Sequence, residues 1–428
     1  MKLNFRQSLS DKFIRGTFWL TAVSFISSAF NYFVHPILTR HLTIAEYGDF
    51  QALLSFATII GIIGAVVATV LTKEISLLNT ARPEEINALR RRASSRLLFV
   101  GLAVLALIII FSGPLNNLFK ISEPAVLVIS SLSLLYIFSL VVNRATLTGV
   151  QAFSALSLSN LLDAVGRLAL VILLVVIFPW GLLGAAYSLS FASLAAFLIS
   201  FWQIKKLKLP AAVAGFKPSL RTMWRYALLV LWFTALYQFF YNFDMLLVKS
   251  FFSPEEAGLY GALLTIGRII YFVGGSIPLV MFPVLAGLQG DKSSRRYKVL
   301  GKSLLLMSGL TIPAYLIISL WPEFIIRIVV GVKYLSIAPY LPGFALVMLF
   351  LTLLMVLSQY FLALAKRRGL VVLTLAALGE IILLMFWHDN IFEIIRSLGL
   401  VFGGASLALI ILLVSDFRRA RALERKYE

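Results

Sequence analysis

Long apolar runs alternate with short polar links from one end of the chain to the other. Runs nearly free of Asp, Glu, Lys and Arg recur near 14–38, 47–72, 96–118, 124–148, 153–178 and 182–204. A polar link from Lys205 to Arg221 follows, and a second set lies near 223–249, 255–286, 299–321, 338–363, 368–388 and 395–415. At ~1.5 Å per residue each run is long enough to cross ~30 Å of hydrocarbon as a helix. The pattern predicts an all-α integral membrane protein with twelve transmembrane helices. No link is long enough for a folded soluble domain, so any chemistry is confined to the helices. Helix breakers are unevenly spread. Pro278 and Pro283 are expected to interrupt the eighth helix around Gly274-Gly275, and Pro313 falls inside the ninth.

One polar corner occurs twice. Residues 46–54 read Glu46-Tyr47-Gly48-Asp49-Phe50-Gln51-Ala52-Leu53-Leu54. About 210 residues later, 256–264 read Glu256-Ala257-Gly258-Leu259-Tyr260-Gly261-Ala262-Leu263-Leu264. Each copy follows one apolar run and opens the next, which marks the same corner in two halves. The expected organisation is therefore two repeated six-helix bundles, 1–208 and 209–428, around a central cavity, as in transporters built from internal repeats.

Composition narrows the class. The chain is 60% hydrophobic and 13% charged, about half the charged fraction of a soluble domain. The absence of cysteine excludes a disulfide framework, a thiolate metal site and cysteine catalysis. A formal net charge of +19 would suggest nucleic acid in a soluble protein; here it reads as the positive-inside rule, with no nucleic-acid partner. One side receives Lys2, Arg6, Lys12 and Arg15, then Lys73, Arg82, Arg90, Arg91, Arg92 and Arg96, then Lys205, Lys206, Lys208, Lys217, Arg221 and Arg225. Lys292, Arg295, Arg296, Lys298, Lys302, Lys366, Arg367, Arg368 and the tail from Arg418 to Lys426 complete it. The other side receives only Arg40, Lys120, Lys249, Arg327, Lys333 and Arg396. This asymmetry places both termini in the cytoplasm. The apolar run from Gly16 to Thr39 is too long for the core of a cleavable signal. Trp180, Trp321 and Trp387 fall at expected outer ends, Trp202 and Trp224 at inner ends, as an aromatic belt requires.

Enzyme signatures are missing. Gly301-Lys302-Ser303 resembles the end of a phosphate-binding loop, but Arg296 stands where the first glycine belongs. His35, His41 and His388 form no helical metal-ligand pair, so no catalytic residue, metal or cofactor is expected. His35 reads as a residue that packs or hydrogen-bonds within the first helix. Buried charges are more informative, because an ionisable side chain at mid-membrane costs at least ~2.5–3.5 kcal/mol and needs a partner or a watery cavity. Asp163 and Arg167 are four residues apart and share one face of the fifth helix. Arg268 lies deep in the eighth, Glu380 near the middle of the eleventh, and Asp244 in the outer third of the seventh, after Tyr237, Phe239, Phe240, Tyr241 and Asn242. Arg144 and Gln151 border the corner between the fourth and fifth.

Two readings remain open. In one, Asp163 and Arg167 simply neutralise each other. In the other, Arg268, Arg167 and Arg144 attract a phosphate in a water-filled cavity, while Asp163, Asp244 or Glu380 binds a coupling cation or proton. Arginine suits phosphate because its planar fork makes paired, charge-assisted hydrogen bonds. Arg268 is the strongest candidate, since no acid lies three or four residues away. For the basic links, topology and attraction to anionic headgroups suffice. A sharper reading has Arg90-Arg91-Arg92 and Lys205-Lys206 gather anionic lipid substrates.

The stretch Leu38-Thr39-Arg40-His41-Leu42 with Ala45-Glu46-Tyr47-Gly48-Asp49-Phe50 resembles the polysaccharide-biosynthesis flippases of the multidrug/oligosaccharidyl-lipid/polysaccharide exporter superfamily. Ser253-Pro254-Glu255-Glu256-Ala257-Gly258-Leu259-Tyr260 and Asn242-Phe243-Asp244 are similar to the same family's later motifs. Ile44 stands where that family often has proline, and twelve helices differ from the fourteen of its lipid II branch. The resemblance implies two six-helix lobes around a cavity that opens alternately to each side. It implies as cargo a polyprenyl-diphosphate-linked oligosaccharide, carried from the cytoplasmic to the outer leaflet of the cytoplasmic membrane. Implied partners are membrane lipids and a polysaccharide polymerase or other glycan-assembly proteins. The alternative is a cation-coupled multidrug antiporter of the same superfamily, which Asp163, Asp244 and Glu380 suit. A membrane glycosyltransferase or polymerase calls for acidic residues on a sizeable outer loop, which the sequence lacks, and a non-transporting scaffold leaves the intramembrane charges without a use.

Overall fold

The computed structural model describes residues 23–207, 209–210, 220–288, 293–364 and 366–427. Lys2, Arg6, Lys12, Arg15, Lys208, Lys217, Lys292, the start of the expected first helix and most of the 205–221 link lie outside those residues. So do the side chains of Arg221, Trp224, Arg225 and the tail beyond Arg418. The chain groups into two compact units, Met1–Gln238 and Phe239–Glu428.

The first unit holds α1 (over 23–41), α2 (Ile44–Ala81), α3 (Ile86–Ile110), α4 (Ser112–Phe119), α5 (Pro124–Ser131), α6 (Leu134–Gly149), α7 (Phe153–Val171) and α8 (Gly181–Lys206). Helix α9 (Leu220–Phe251) crosses the divide. The second unit continues with α10 (Pro254–Gly287), α11 (Ser293–Leu320), α12 (Pro322–Val329), α13 (Leu341–Ala363), α14 (Arg367–Phe386) and α15 (Ile391–Tyr427). Ten helical stretches among the described residues are long and apolar enough to cross a membrane. Helices α1 and α9 stand where the first and seventh spans are expected, which completes the six-plus-six order. Large apolar side chains such as Phe99, Leu305 and Phe386 are exposed, as lipid-facing positions require.

Both copies of the repeated corner are capping boxes. At the start of α2, the Glu46 carboxylate accepts from the Thr43 amide at 2.7 Å and the Thr43 hydroxyl at 2.9 Å, while the Glu46 amide donates to that hydroxyl at 3.2 Å. At the start of α10, Glu256 accepts from the Ser253 amide at 3.1 Å and its hydroxyl at 2.8 Å, and the Glu256 amide returns a 3.3 Å bond. The first-turn amides of a helix lack intrahelical partners, and these four atoms supply them.

Several elements depart from the hydropathy pattern. The expected helix over 124–148 is two pieces, α5 and α6, and the end of the run over 153–178 is a π-helical turn, Ile172–Ile177. Apolar composition does not register either change, since both stretches stay apolar throughout. The expected interruption of the eighth helix is not observed: α10 runs unbroken through Pro278 and Pro283. A proline removes one amide donor without stopping a helix that its neighbours hold in place. Here the neighbours approach closely. A Cβ at Gly274 would lie 2.3 Å from Thr352 Cγ2 and 2.9 Å from Thr311 Cγ2, and one at Gly267 would lie 2.5 Å from the Phe344 ring. These two glycines, seven residues apart on one face of α10, seat it against α13 and α11.

Within the first unit, α6 packs against α2, α3 and α8, and α7 packs against α8. In the second unit, α13 packs against α10, α11, α14 and α15. These two centres hold the polar residues described next.

Candidate functional site

In the first unit the charges gather where α6 turns into α7. Helix α6 ends in a Schellman-type cap, with Ala152 donating to the Leu147 carbonyl at 2.8 Å and Gln151 to the Thr148 carbonyl at 3.0 Å. Gln151 supplies the left-handed residue, φ 59°. This tight hairpin folds α7 back along α6, so that Arg144 meets Asp163. Arg144 Nη2 lies 3.1 Å from Asp163 Oδ2 and 3.0 Å from the Ser159 carbonyl, and its Nε donates to Ser159 Oγ at 3.2 Å. Arg167 reaches Asp163 Oδ1 only at 3.9 Å, beyond hydrogen-bonding range. Ser193 of α8 donates to the same oxygen at 3.5 Å. The expected Asp163–Arg167 pair is thus present as a longer ion pair, with Arg144 the nearer partner. Asp163 is hydrogen-bonded to Arg144, and two cations face one anion. The surplus falls on Arg167, whose Nε is buried without a partner.

In the second unit, Arg268 is 7% exposed, about 21 Å along α10 from its start at ~1.5 Å per residue. Its Nη2 donates to the Tyr241 carbonyl at 2.6 Å, and its Cζ sits 4.0 Å from the centre of the Tyr241 ring. Tyr271 tilts against that ring at 4.9 Å. No carboxylate pairs with Arg268 among the described residues, and its Nε has no partner. Asp244, 1% exposed, accepts from the Tyr260 hydroxyl at 2.6 Å and from the Met245 amide at 2.8 Å. Glu380 is fully buried on α14, and neither carboxyl oxygen has a hydrogen-bond partner. Asp244 is near enough to Arg268, and Glu380 to Asp244 and Tyr260, for their charges to interact.

The candidates from sequence therefore form two clusters: Arg144, Asp163 and Arg167 in one unit, and Asp244, Arg268 and Glu380 in the other. Nothing in the sequence around them marks the tyrosines and serines that hold them. His35 packs on Tyr32 of its own helix, with ring centres 6.3 Å apart, and its ring nitrogen also meets the Tyr47 hydroxyl of α2 at 3.1 Å. Tyr47 in turn accepts from Gln51 at 2.9 Å. Chemically, an arginine with a spare donor in an aromatic setting suits a large anion with oxygen acceptors, and an orphaned carboxyl suits a proton or a small cation.

A family model described as "Polysaccharide biosynthesis protein" matches residues 13–289. Among curated protein sequences none matches the chain. Among solved structures, the lipid II flippase MurJ in an inward closed conformation is similar over 94% of this chain and 89% of that one, at TM-score 0.74 and 16% identity. An inward-facing multidrug resistance transporter of the MATE family and MOP superfamily is similar over 93% and 96%, at TM-score 0.76 and 14% identity. A MOP superfamily transporter from Pyrococcus furiosus, whose description notes reverse polarity of its binding pocket, is similar over 96% of both chains, at TM-score 0.63 and 16% identity. At these identities the likeness is one of fold.

Proposed function

We propose, from the premise that this chain belongs to the polysaccharide biosynthesis protein family, that it is a flippase for a polyprenyl-diphosphate-linked oligosaccharide. The cargo passes from the cytoplasmic to the outer leaflet of the cytoplasmic membrane, with both chain termini on the cytoplasmic side. The observation that carries this reading is Arg268, a buried guanidinium in no close ion pair among the described residues, whose Nε has no partner.

Moving a diphosphate through hydrocarbon unaided is prohibitive, so the protein must supply fixed cations while the lipid tail remains in the bilayer. Arg268 of the second unit contacts the diphosphate in this reading, and Arg167 of the first unit offers an anion its spare Nε. Arg144, already bonded to Asp163 and Ser159, adds positive potential and fixes the acid. Asp244 and Glu380 take up the coupling proton or cation. Asp163, flanked by two guanidiniums, orients arginine more readily than it serves as a carrier. The sequence has no nucleotide-binding loop, so the driving force is an ion gradient, the membrane potential or consumption of the product by a glycan-assembly partner.

A second reading, a cation-coupled drug antiporter, draws on the MATE-like fold and on the orphaned Glu380. Proteoliposomes holding the full chain separate the two. One arm follows leaflet exchange of a polyprenyl-diphosphate oligosaccharide, and the other follows efflux of a cationic dye. We expect lipid exchange without dye efflux, with exchange falling about tenfold or more in Arg268→Gln and partly retained in Arg268→Lys, on the order of 1.5–3 kcal/mol for a charged hydrogen bond. Exchange undiminished in folded Arg268→Gln overturns the phosphate role. Dye efflux with the lipid unmoved overturns the flippase.

A further inference from the structure

The basic ends of α3 and α8 enclose a second, separate feature, a cavity of about 490 Å³. Three cations line it, Arg90 and Arg91 from α3 and Lys205 from α8, and none of the described lining residues is acidic. Like charges gathered around one space repel unless an anion joins them. Arg90 is the most constrained of the three. Its Nη2 donates to Asn87 Oδ1 at 3.1 Å, while its Nε is buried with no partner. The Asn87 amide donates in turn to the Pro210 carbonyl at 3.3 Å, which pins the segment after α8 and sets Leu209 into the wall.

The rest of the wall is apolar. Phe201 and Ile204 line it with Leu209, and Ile204 and Leu209 join the buried cluster of Leu147 and Leu156. Lys205 Nζ stands 4.8 Å from the centre of the Phe201 ring, and Lys206 Nζ 3.6 Å from that of Trp202, the half-exposed tryptophan expected at a membrane interface. A cationic rim over an apolar wall, at headgroup depth, matches a molecule with an anionic phosphate at one end and hydrocarbon at the other.

We propose that this cavity binds the phosphate group of an anionic lipid from the leaflet on the basic side. The guanidinium of Arg90 and the ammonium of Lys205 clasp the phosphate oxygens, and the first methylenes lie on Phe201, Ile204 and Leu209. The site is independent of the cargo assigned above, because none of its residues belongs to the Arg144–Asp163–Arg167 or Arg268 clusters. Free phosphate shares the anionic chemistry but has nothing to place on the apolar wall.

The test is native mass spectrometry of the full chain in detergent. It is titrated with an anionic phosphatidylglycerol, with zwitterionic phosphatidylcholine and with inorganic phosphate. We expect one anionic lipid to be retained in preference to the zwitterionic one, with inorganic phosphate failing to displace it at equal concentration. Arg90→Gln combined with Lys205→Gln weakens retention roughly thirtyfold, from about 1 kcal/mol per basic residue. Arg92→Gln combined with Arg96→Gln, which removes two charges from positions of α3 outside the cavity lining, leaves retention within twofold. Equal losses in the two double variants overturn the proposal in favour of diffuse attraction. Inorganic phosphate bound through Arg90 with no lipid preference overturns the lipid assignment. Should the double variant melt early, Arg91→Gln, at an exposed position, carries the same comparison, with about a fivefold loss expected.

Discussion

Replacing Glu380 with leucine should stabilise the protein and disable it. The side chain is fully buried, both carboxyl oxygens lack a partner, and the same face of α14 buries Leu373, Ala377 and Leu384. Leaving a buried polar group unsatisfied costs roughly 1–3 kcal/mol, and more when it is charged. The acidic Asp244 nearby adds repulsion to any ionised form. Leucine fills a similar volume and removes both costs, so Glu380→Leu should gain roughly 1–3 kcal/mol. Glu380→Gln keeps two polar atoms in the same place and should gain little. Thermal melting of the full chain in one detergent, at one scan rate, ranks the three proteins. Leaflet exchange in proteoliposomes is then measured on each, with loss expected in both variants if the carboxyl carries the coupling proton or cation. A lower melting temperature for Glu380→Leu refutes the reasoning, because it means the carboxyl has a stabilising partner. Higher stability with exchange intact leaves the carboxyl with no role in transport.

Two further outcomes follow from packing and caps. Gly274→Ala places a Cβ 2.3 Å from Thr352 and 2.9 Å from Thr311, whereas Gly275→Ala meets nothing within 4 Å; stability should fall by about 1–3 kcal/mol for the first only, and equal melting of the two variants contradicts the packing described. Glu46→Ala and Glu256→Ala each remove a capping box, at about 1 kcal/mol apiece, and the losses should add in the double variant while transport per folded molecule is unchanged. A change in transport with stability unaltered tells against a purely structural cap.

Hydropathy alone placed the spans because the bilayer imposes their length and composition, and that constraint is local to each run. Pairings across helices are not local. They nonetheless follow a reflection about each corner that the sequence contains. Asp244 and Tyr260 each lie eight residues from Phe252, and they bond. His35 and Tyr47 each lie six from His41, and they meet as well. Arg144 and Asp163 stand nine and ten residues from Phe153. The i,i+4 spacing pairs Asp163 with Arg167 and is silent on the nearer Arg144, which stands across the hairpin rather than along the same helix. Glu380 has no such mirror partner, and only its burial in the fold distinguishes it from an ordinary membrane-face acid. The break between α5 and α6 and the π-turn before α8 were illegible for another reason. Both change the backbone path while leaving the apolar character of the run as it was.

The twin corners also bear on classification. In each, the threonine or serine and the glutamate three residues later satisfy one another, and the bonds of the box involve no other residue. Around that frame the copies have diverged, with Tyr47 and Asp49 in one standing where Ala257 and Leu259 stand in the other. Sorting membrane proteins by this motif therefore groups them by how a helix begins. What they carry must be read from side chains that the motif leaves free to vary.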